Sequence, residues 1–398
     1  MRKLVEKGVK WLLTLSGFVT SLVILLIIGF LFTEGAGLFR KKIIEEGYVL
    51  ALNKENPVRT MTAEQIKAVF DEDVTSWKDL GGPDLAITTF RLEDVEKYFT
   101  EEELGAQYEY AGEKIAALVD ANPGMVAFVP ESMIPENAEL NFIEDSNISP
   151  KDVFVGAEWF PTATPSSLFG MWPLLAGTLW VSFFAILFAL PFGLSIAIYM
   201  AEIAPSKVRD VFKPLIELLN GIPSVVYGFF GLTIIVPLLQ QVFGLPVGES
   251  GLAGSIVLAI MALPTIVTVA EDAMRNCPRS LREASLALGA SKWQTVSKVV
   301  IPSSMSSIAS GIVLGIGRAV GETMAVLMVT GNAAVIPHSI LEPLRTIPAT
   351  IAAELGEAPA GGAHYQALFM LGVILFFITF FINLCVEYIS SRNKAKNR

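Results

Sequence analysis

The chain has 398 residues, 53% hydrophobic and only 17% charged, with a mean hydropathy of +0.56. That balance excludes an ordinary soluble globular domain and points to an integral membrane protein. The formal charge of −10 is unevenly spread: residues 43–165 hold 25 acidic against 8 basic side chains, a net −17, which leaves +7 on the remainder. The two cysteines (Cys277, Cys385) and the two histidines (His338, His364) stand apart, so no disulfide and no metal site is expected.

From the amino terminus, the first apolar run is 11–33, preceded by Arg2, Lys3, Lys7 and Lys10. It is too long for the core of a secretory signal and no A-x-A pattern follows, so a retained anchor is expected. Arg40, Lys41 and Lys42 come next and read as an interfacial contact with lipid. Residues 1–42 therefore form one region. The acidic stretch 43–165 is a second, a mixed α/β module: "GYVLALN" and "GMVAFVP" are strand-like, while "TAEQIKAVFD" and "GEKIAALVDA" have helical spacing. Thr62 and Gln65 fit a capping box. The third region, 166–398, carries five further apolar runs at 172–200, 222–243, 251–274, 303–330 and 365–390. Each has about the 20 residues a spanning helix needs. The expected fold class is an α-helical integral membrane protein of six transmembrane helices, with a small α/β domain inserted between helices 1 and 2.

Basic residues of short loops set orientation. The amino terminus, the loop with Lys207, Arg209 and Lys213, the loop from Arg275 to Lys298 and the tail "SRNKAKNR" all fall on one side of six spans. Both termini are then cytoplasmic and the acidic module extracytoplasmic. The stretch 331–364 holds Pro337, Pro343, Pro348 and Pro359 around a helix-like "TIPATIAAELG". An outer loop and a re-entrant segment both fit it. Arg345 within it reads either as a surface arginine or as a second candidate to contact an anion.

The fifth run contains "GIGRAVGETMAVLMVTG". At about 100° per residue, Gly311, Gly315, Arg318 and Glu322 fall within roughly a 60° arc if the helix is continuous. Such a face packs against another helix or lines a cavity, and Gly321 joins the close-packing glycines. Each unpaired charge at mid-bilayer costs about 2.5–3.5 kcal/mol on the lenient insertion scale. At i and i+4 the two charges are expected to neutralise each other. Two readings stand: a structural ion pair, or a transient anion site in which Arg318 attracts a substrate and Glu322 limits its stay.

Between the fourth and fifth runs stands "REASLALGASKWQTVSKVVIP". Glu283, Ala284, Gly289 and the Ile301–Pro302 pair fit the EAA motif of importer-type ABC permeases, with Ser285 in place of the second alanine. In that family the loop forms a short helix seated in a groove on an ATPase subunit. Small residues permit close approach, Gly289 is suited to end a helix, and Arg279, Arg282 and Lys292 suit a protein surface. No G-x-x-x-x-G-K-[ST] loop is present, so ATP and its hydrolysis belong to a separate subunit and no cofactor is expected on this chain.

"GRAVGETMAVLMVTGN", "LRTIPATIAAELGE" and "HYQALFMLGVILFFITFFIN" resemble the PstC-type permease of the phosphate-specific ABC importer over roughly 165–390. The sister PstA-type permease usually has "GETAPL" where this chain reads Gly321–Glu322–Thr323–Met324–Ala325–Val326. The resemblance implies inorganic phosphate as substrate, moved inward by alternating access in the inner membrane. It implies as partners a PstA-type permease, two ATPase copies, an extracytoplasmic phosphate-binding protein and membrane lipid, and no nucleic acid. The insert is similar to one lobe of phosphate-binding proteins, through "NKENPVRTMTAEQIKAVFDEDVTSWKDLGGPDLAIT" and "NPGMVAFVPESM". It lacks that family's Ser-Gly-Thr-Arg ligand run and reads Arg91–Leu92–Glu93–Asp94–Val95–Glu96–Lys97 instead, so docking or spacing is expected of it. The rival readings are a permease for molybdate or sulfate, and a membrane receptor with a ligand-sensing insert.

Overall fold

The computed structural model describes residues 2–105 and 107–396, the side chains of residues 2–5, 386 and 389–396 excepted. The basic side chains of Arg2 and Lys3 and those of the tail beyond Ser390 thus lie outside the described residues. Among the described residues six helices are long and apolar enough to cross a membrane: Glu6–Arg40, Trp172–Ile203, Ser224–Phe243, Gly251–Arg275, Lys292–Val320 and Ala363–Cys385. The chain divides into two compact units, one of which takes in Ala36–Met171 with Gly361–Ala367 and the other the rest.

The smaller unit is built on a four-stranded sheet of β1 (Tyr48–Leu52), β2 (Thr88–Arg91), β3 (Met125–Pro130) and β4 (Asn141–Phe142), in the order β2-β3-β1-β4. β1 is antiparallel to β3, with Leu50 opposite Phe128, and β2 is parallel to β3. Both middle strands read as continuous apolar runs because both faces are covered. Helix Ala63–Phe70 starts at the expected capping box, with Thr62 Oγ1 accepting from Gln65 N and Gln65 Oε1 accepting from Thr62 N. Helix Ala111–Ala121 is tied to β1 by Asn53, whose Nδ2 donates to the carbonyls of Val119 and Asp120. The unit extends past 165, because β5 (Trp159–Phe160) pairs with β6 (Leu168–Phe169) and Ser166 Oγ donates to Ile43 O. Lys42, expected at a lipid interface, instead pairs with Asp145 at 3.3 Å.

In the membrane unit the second span packs on the fourth through Val181, Ala185, Ala253, Val257 and Leu258, all buried. The first and last spans meet through Phe30 on Phe369 and Phe32 on Phe377, edge to face at 5.4 and 5.6 Å. The first span's Trp11, Phe18, Leu25 and Leu26 are exposed, as a lipid-facing helix requires.

Three expectations are corrected. The fifth span runs from Lys292 and ends at Val320, and Met324–Val329 is a separate short helix. The hydropathy of "TMAVLMV" had joined the two. The basic stretch around Lys213 is a helix, Ser206–Asn220. The loop between the fourth and fifth spans is shorter than the expected Arg275–Lys298: it holds the short helix Arg279–Ala287 that the EAA resemblance implies, and Lys292 and Lys298 already belong to the fifth span.

The stretch 331–364 is not a free loop. Gly251 N and Leu252 N donate to the carbonyls of Glu342 and Ile340, and Ile347 N donates to Thr178 Oγ1 of the second span. Its helix Ile347–Glu354 buries Ile347, Ala349 and Thr350.

Candidate functional site

The EAA stretch folds as helix Arg279–Ala287, with none of its residues buried. Glu283 and Ala284 are exposed. Gly289 closes it at φ +84°, with Gly289 N donating to Leu286 O at 3.0 Å and Ala290 N to Ser285 O at 3.3 Å. That pair of bonds is a Schellman closure, which requires a left-handed residue. Ser285, the departure from the motif, shares a 2.9 Å hydrogen bond with Thr295 Oγ1, tying the helix to the start of the fifth span. Pro302 stands within the fifth span, directly after the π-helical turn Val296–Val300. Leu281, Leu286, Leu288 and Trp293 are exposed around this helix.

A Cβ at Gly289 meets no neighbouring atom within 4 Å, so only the backbone conformation excludes other residues. Gly289→Val is therefore expected to cost about 1–2 kcal/mol locally and to loosen the helix while the protein still inserts. If this helix seats on an ATPase subunit, as the EAA resemblance implies, substrate-stimulated ATP hydrolysis by the pair is expected to fall clearly, and parental stimulation at parental abundance would count against that seating.

Arg282 faces inward rather than outward. Its Nη1 donates to Glu202 Oε2 at 2.8 Å and its Nη2 to Met274 O at 2.7 Å. The EAA helix is thereby clamped to the end of the second span, where Tyr199–Ile203 widens into a π-helical turn, and to the end of the fourth. Beside it Lys213 Nζ donates to Glu271 Oε2 at 2.6 Å and Asp272 Oδ1 at 2.7 Å, and Arg275 pairs with Glu271. Burial pulls the Lys213 ammonium down, but its bonds to Asp272 and Glu271 outweigh that and leave its pKa above the ordinary lysine value.

In the fifth span Gly311 and Gly315 face the fourth: a Cβ at either would come within 2.9 Å of Val269 or Ile266. Gly321 packs on no other element; it caps the helix. The expected i,i+4 pair between Arg318 and Glu322 is not formed, because the helix stops between them. Arg318 Nη1 donates to Asn220 Oδ1 at 3.1 Å, at the end of helix Ser206–Asn220, and Thr265 Oγ1 of the fourth span donates to the same oxygen at 3.2 Å. Glu322 Oε1 accepts from Ala325 N at 3.3 Å. Glu322 borders a narrow crevice, too tight to admit a water, between apolar Val181, Leu258 and Val326 and polar Thr178, Ser182 and Thr346. Among the described residues no carboxylate lies within ion-pair distance of Arg318. Arg345, the other candidate, is committed: it pairs with Glu354 and donates from Nε to Asn332 O at 3.1 Å. Sequence reasoning missed Asn220, Thr265, Glu202 and Glu271. Glu271 inside the fourth apolar run and Glu202 just past the second were the visible signals.

In the smaller unit the position after β2 is acidic. Asp94 accepts from Lys97 Nζ at 2.6 Å and from Arg91 N at 3.0 Å. The Lys97 ammonium and the Arg91 N–H hold its carboxyl below the ordinary range. An ionised carboxylate there repels anions.

Residues 189–395 match the family described as "Binding-protein-dependent transport system inner membrane component", a little over half of the chain. The chain belongs to that family. Residues 31–158 of the permease match the PBP superfamily domain. The permease is 41% identical over 250 residues to the "Probable ABC transporter permease protein YqgH" of Bacillus subtilis (strain 168), covering 63% of this chain and 81% of that one. It is 38% identical over 247 residues to the "Phosphate transport system permease protein PstC" of Mesorhizobium japonicum, covering 57% and 75%. With the protein of the same name from Pasteurella multocida it shares 40% over 224 residues, 52% and 69% of the two chains. It is a multi-pass membrane permease.

Proposed function

We propose that this permease carries inorganic phosphate into the cell as one subunit of an ATP-driven importer. The observation that carries the reading is Arg318: a guanidinium in a membrane-spanning helix, held by the neutral side chain of Asn220 and, among the described residues, by no carboxylate. A fixed charge in that position attracts an anion and is not already neutralised. The names of the relatives from Mesorhizobium and Pasteurella supply phosphate as the anion.

In this mechanism the exposed EAA helix seats on an ATPase subunit. Closure of two ATPase copies on ATP moves that helix, and the Arg282–Glu202 clamp passes the motion to the second and fourth spans. A PstA-type permease supplies the other half of the pathway, and an extracytoplasmic phosphate-binding protein delivers the anion. Arg345, engaged by Glu354, holds the 331–364 segment in place rather than meeting phosphate. The insert docks or spaces the binding protein, since Asp94 and its acidic neighbours disfavour phosphate there. ATP is bound by the partner ATPase and no cofactor is held by this chain.

The orientation proposed, supported by the basic stretches between spans, has both termini in the cytoplasm and the insert outside. An impermeant thiol reagent is expected to label Ser146→Cys, an exposed position of the insert, and to miss Asn393→Cys until the membrane is opened. The reverse pattern would invert the orientation. The function itself is tested in proteoliposomes holding the assembled complex and loaded binding protein. ATP-dependent accumulation of radiolabelled phosphate is expected, and none should occur with a hydrolysis-deficient ATPase. Accumulation without hydrolysis, or none with it, would overturn the reading.

A further inference from the structure

Asn220 holds Arg318 in a particular way. Its Oδ1 accepts from Arg318 Nη1 at 3.1 Å and from Thr265 Oγ1 at 3.2 Å, so three elements far apart in sequence converge on one neutral oxygen. With both lone pairs of Oδ1 occupied, the amide is fixed in orientation and its NH2 group turns away from the arginine. Among the described residues no acceptor takes a hydrogen bond from that NH2, and no second acceptor takes one from Arg318. The site is an arginine fork and an amide that together present N–H donors to whatever lies beside them.

An aspartate at position 220 has the same shape and would accept both bonds more strongly. It would also neutralise the guanidinium, as Glu354 neutralises Arg345. A structural arginine gains from that exchange. An arginine that must attract an anion and then release it loses by it, because the carboxylate competes with the incoming oxyanion for the same donors. We infer that Asn220 is a positioning residue for the transported anion: it orients Arg318 without quenching its charge, Thr265 fixes Asn220 in turn, and the Asn220 NH2 donates to an oxygen of a tetrahedral oxyanion. This rests on the reading that Arg318 meets the substrate.

The assembled transporter carrying Asn220→Asp, Asn220→Ala, Asn220→Ser or Thr265→Val is compared with the parent and with Arg318→Leu, reading KM and maximal rate of phosphate uptake beside membrane abundance. Asn220→Asp keeps the acceptor and the shape, so a purely structural role leaves uptake unchanged. The inference expects KM to rise about tenfold or more at parental abundance. Thr265→Val is expected to shift KM in the same direction by less. If Asn220→Asp fails to assemble, the Ser and Ala variants decide: Ser keeps a neutral acceptor and is expected to stay nearer the parent than Ala. A parental KM for Asn220→Asp, or for Asn220→Ala where the aspartate does not assemble, overturns the inference. If Arg318→Leu is then inactive, only the Asn220 assignment falls. If Arg318→Leu transports normally, the reading of Arg318 falls as well.

Discussion

Arg318→Leu is expected to lower phosphate uptake by about 100-fold, the equivalent of about 3 kcal/mol for a lost charge-assisted contact, while the complex stays in the membrane. Insertion should not suffer, because leucine removes a charge from the span that, among the described residues, no carboxylate offsets. Asn220 and Thr265 keep their mutual hydrogen bond. Glu322→Gln is a separate matter. The two charges serve different neighbours, so the glutamine keeps an acceptor for Ala325 N and its effect should add to that of Arg318→Leu rather than offset it. Uptake and membrane abundance measured for both variants and their combination check this. A double variant that recovers what Arg318→Leu loses would restore the ion pair that the structure does not contain.

Arg282→Ala has the second large effect, on assembly. It leaves the Glu202 carboxylate, 9% exposed, without its cation. Breaking a buried pair from one side costs about 3 kcal/mol or more, so abundance and thermal stability in detergent should both fall. Replacing both partners, Arg282→Met with Glu202→Leu, removes the unpaired charge and is expected to restore abundance. Coupling should not return with it, because an apolar contact between the EAA helix and the second span can slip where a two-pronged arginine cannot. Substrate-stimulated ATP hydrolysis by the double variant is the readout. Full stimulation at normal abundance would show that the clamp serves stability alone.

Much of this architecture is legible in the residues. Hydropathy finds the spans because lipid admits only helices with satisfied backbones, and the insert's strands announce themselves as apolar runs of strand length. Gly289 is legible because a left-handed closure is a local requirement. The fifth span is harder. The apolar "MAVLMV" follows "GRAVGET" with no proline and no long polar break, and composition does not register that the helix ends at Gly321. The i,i+4 pairing of Arg318 with Glu322 followed from assuming continuity and fails with it. Asn220 and Thr265 lie 98 and 53 positions from Arg318, and no periodicity links residues that meet only through packing. The helix Ser206–Asn220 reads as a basic loop because its charges dominate, although Val211, Phe212, Leu215 and Leu218 give it an apolar side that remains exposed. Arg345 illustrates the opposite hazard. Its local sequence offers an unattached arginine, while the turn into helix Ile347–Glu354 brings Glu354 back onto it.

The central claim is that this chain passes phosphate and that Arg318 meets it on the way. The most direct measurement is the initial rate of radiolabelled phosphate uptake by the reconstituted complex, parent and Arg318→Leu side by side, with sulfate or molybdate in excess. The account expects ATP-dependent uptake by the parent that neither competitor suppresses, and a rate near background for the leucine variant at equal abundance. Suppression by sulfate or molybdate would reassign the cargo to another oxyanion, and equal rates for the two proteins would contradict the role of Arg318.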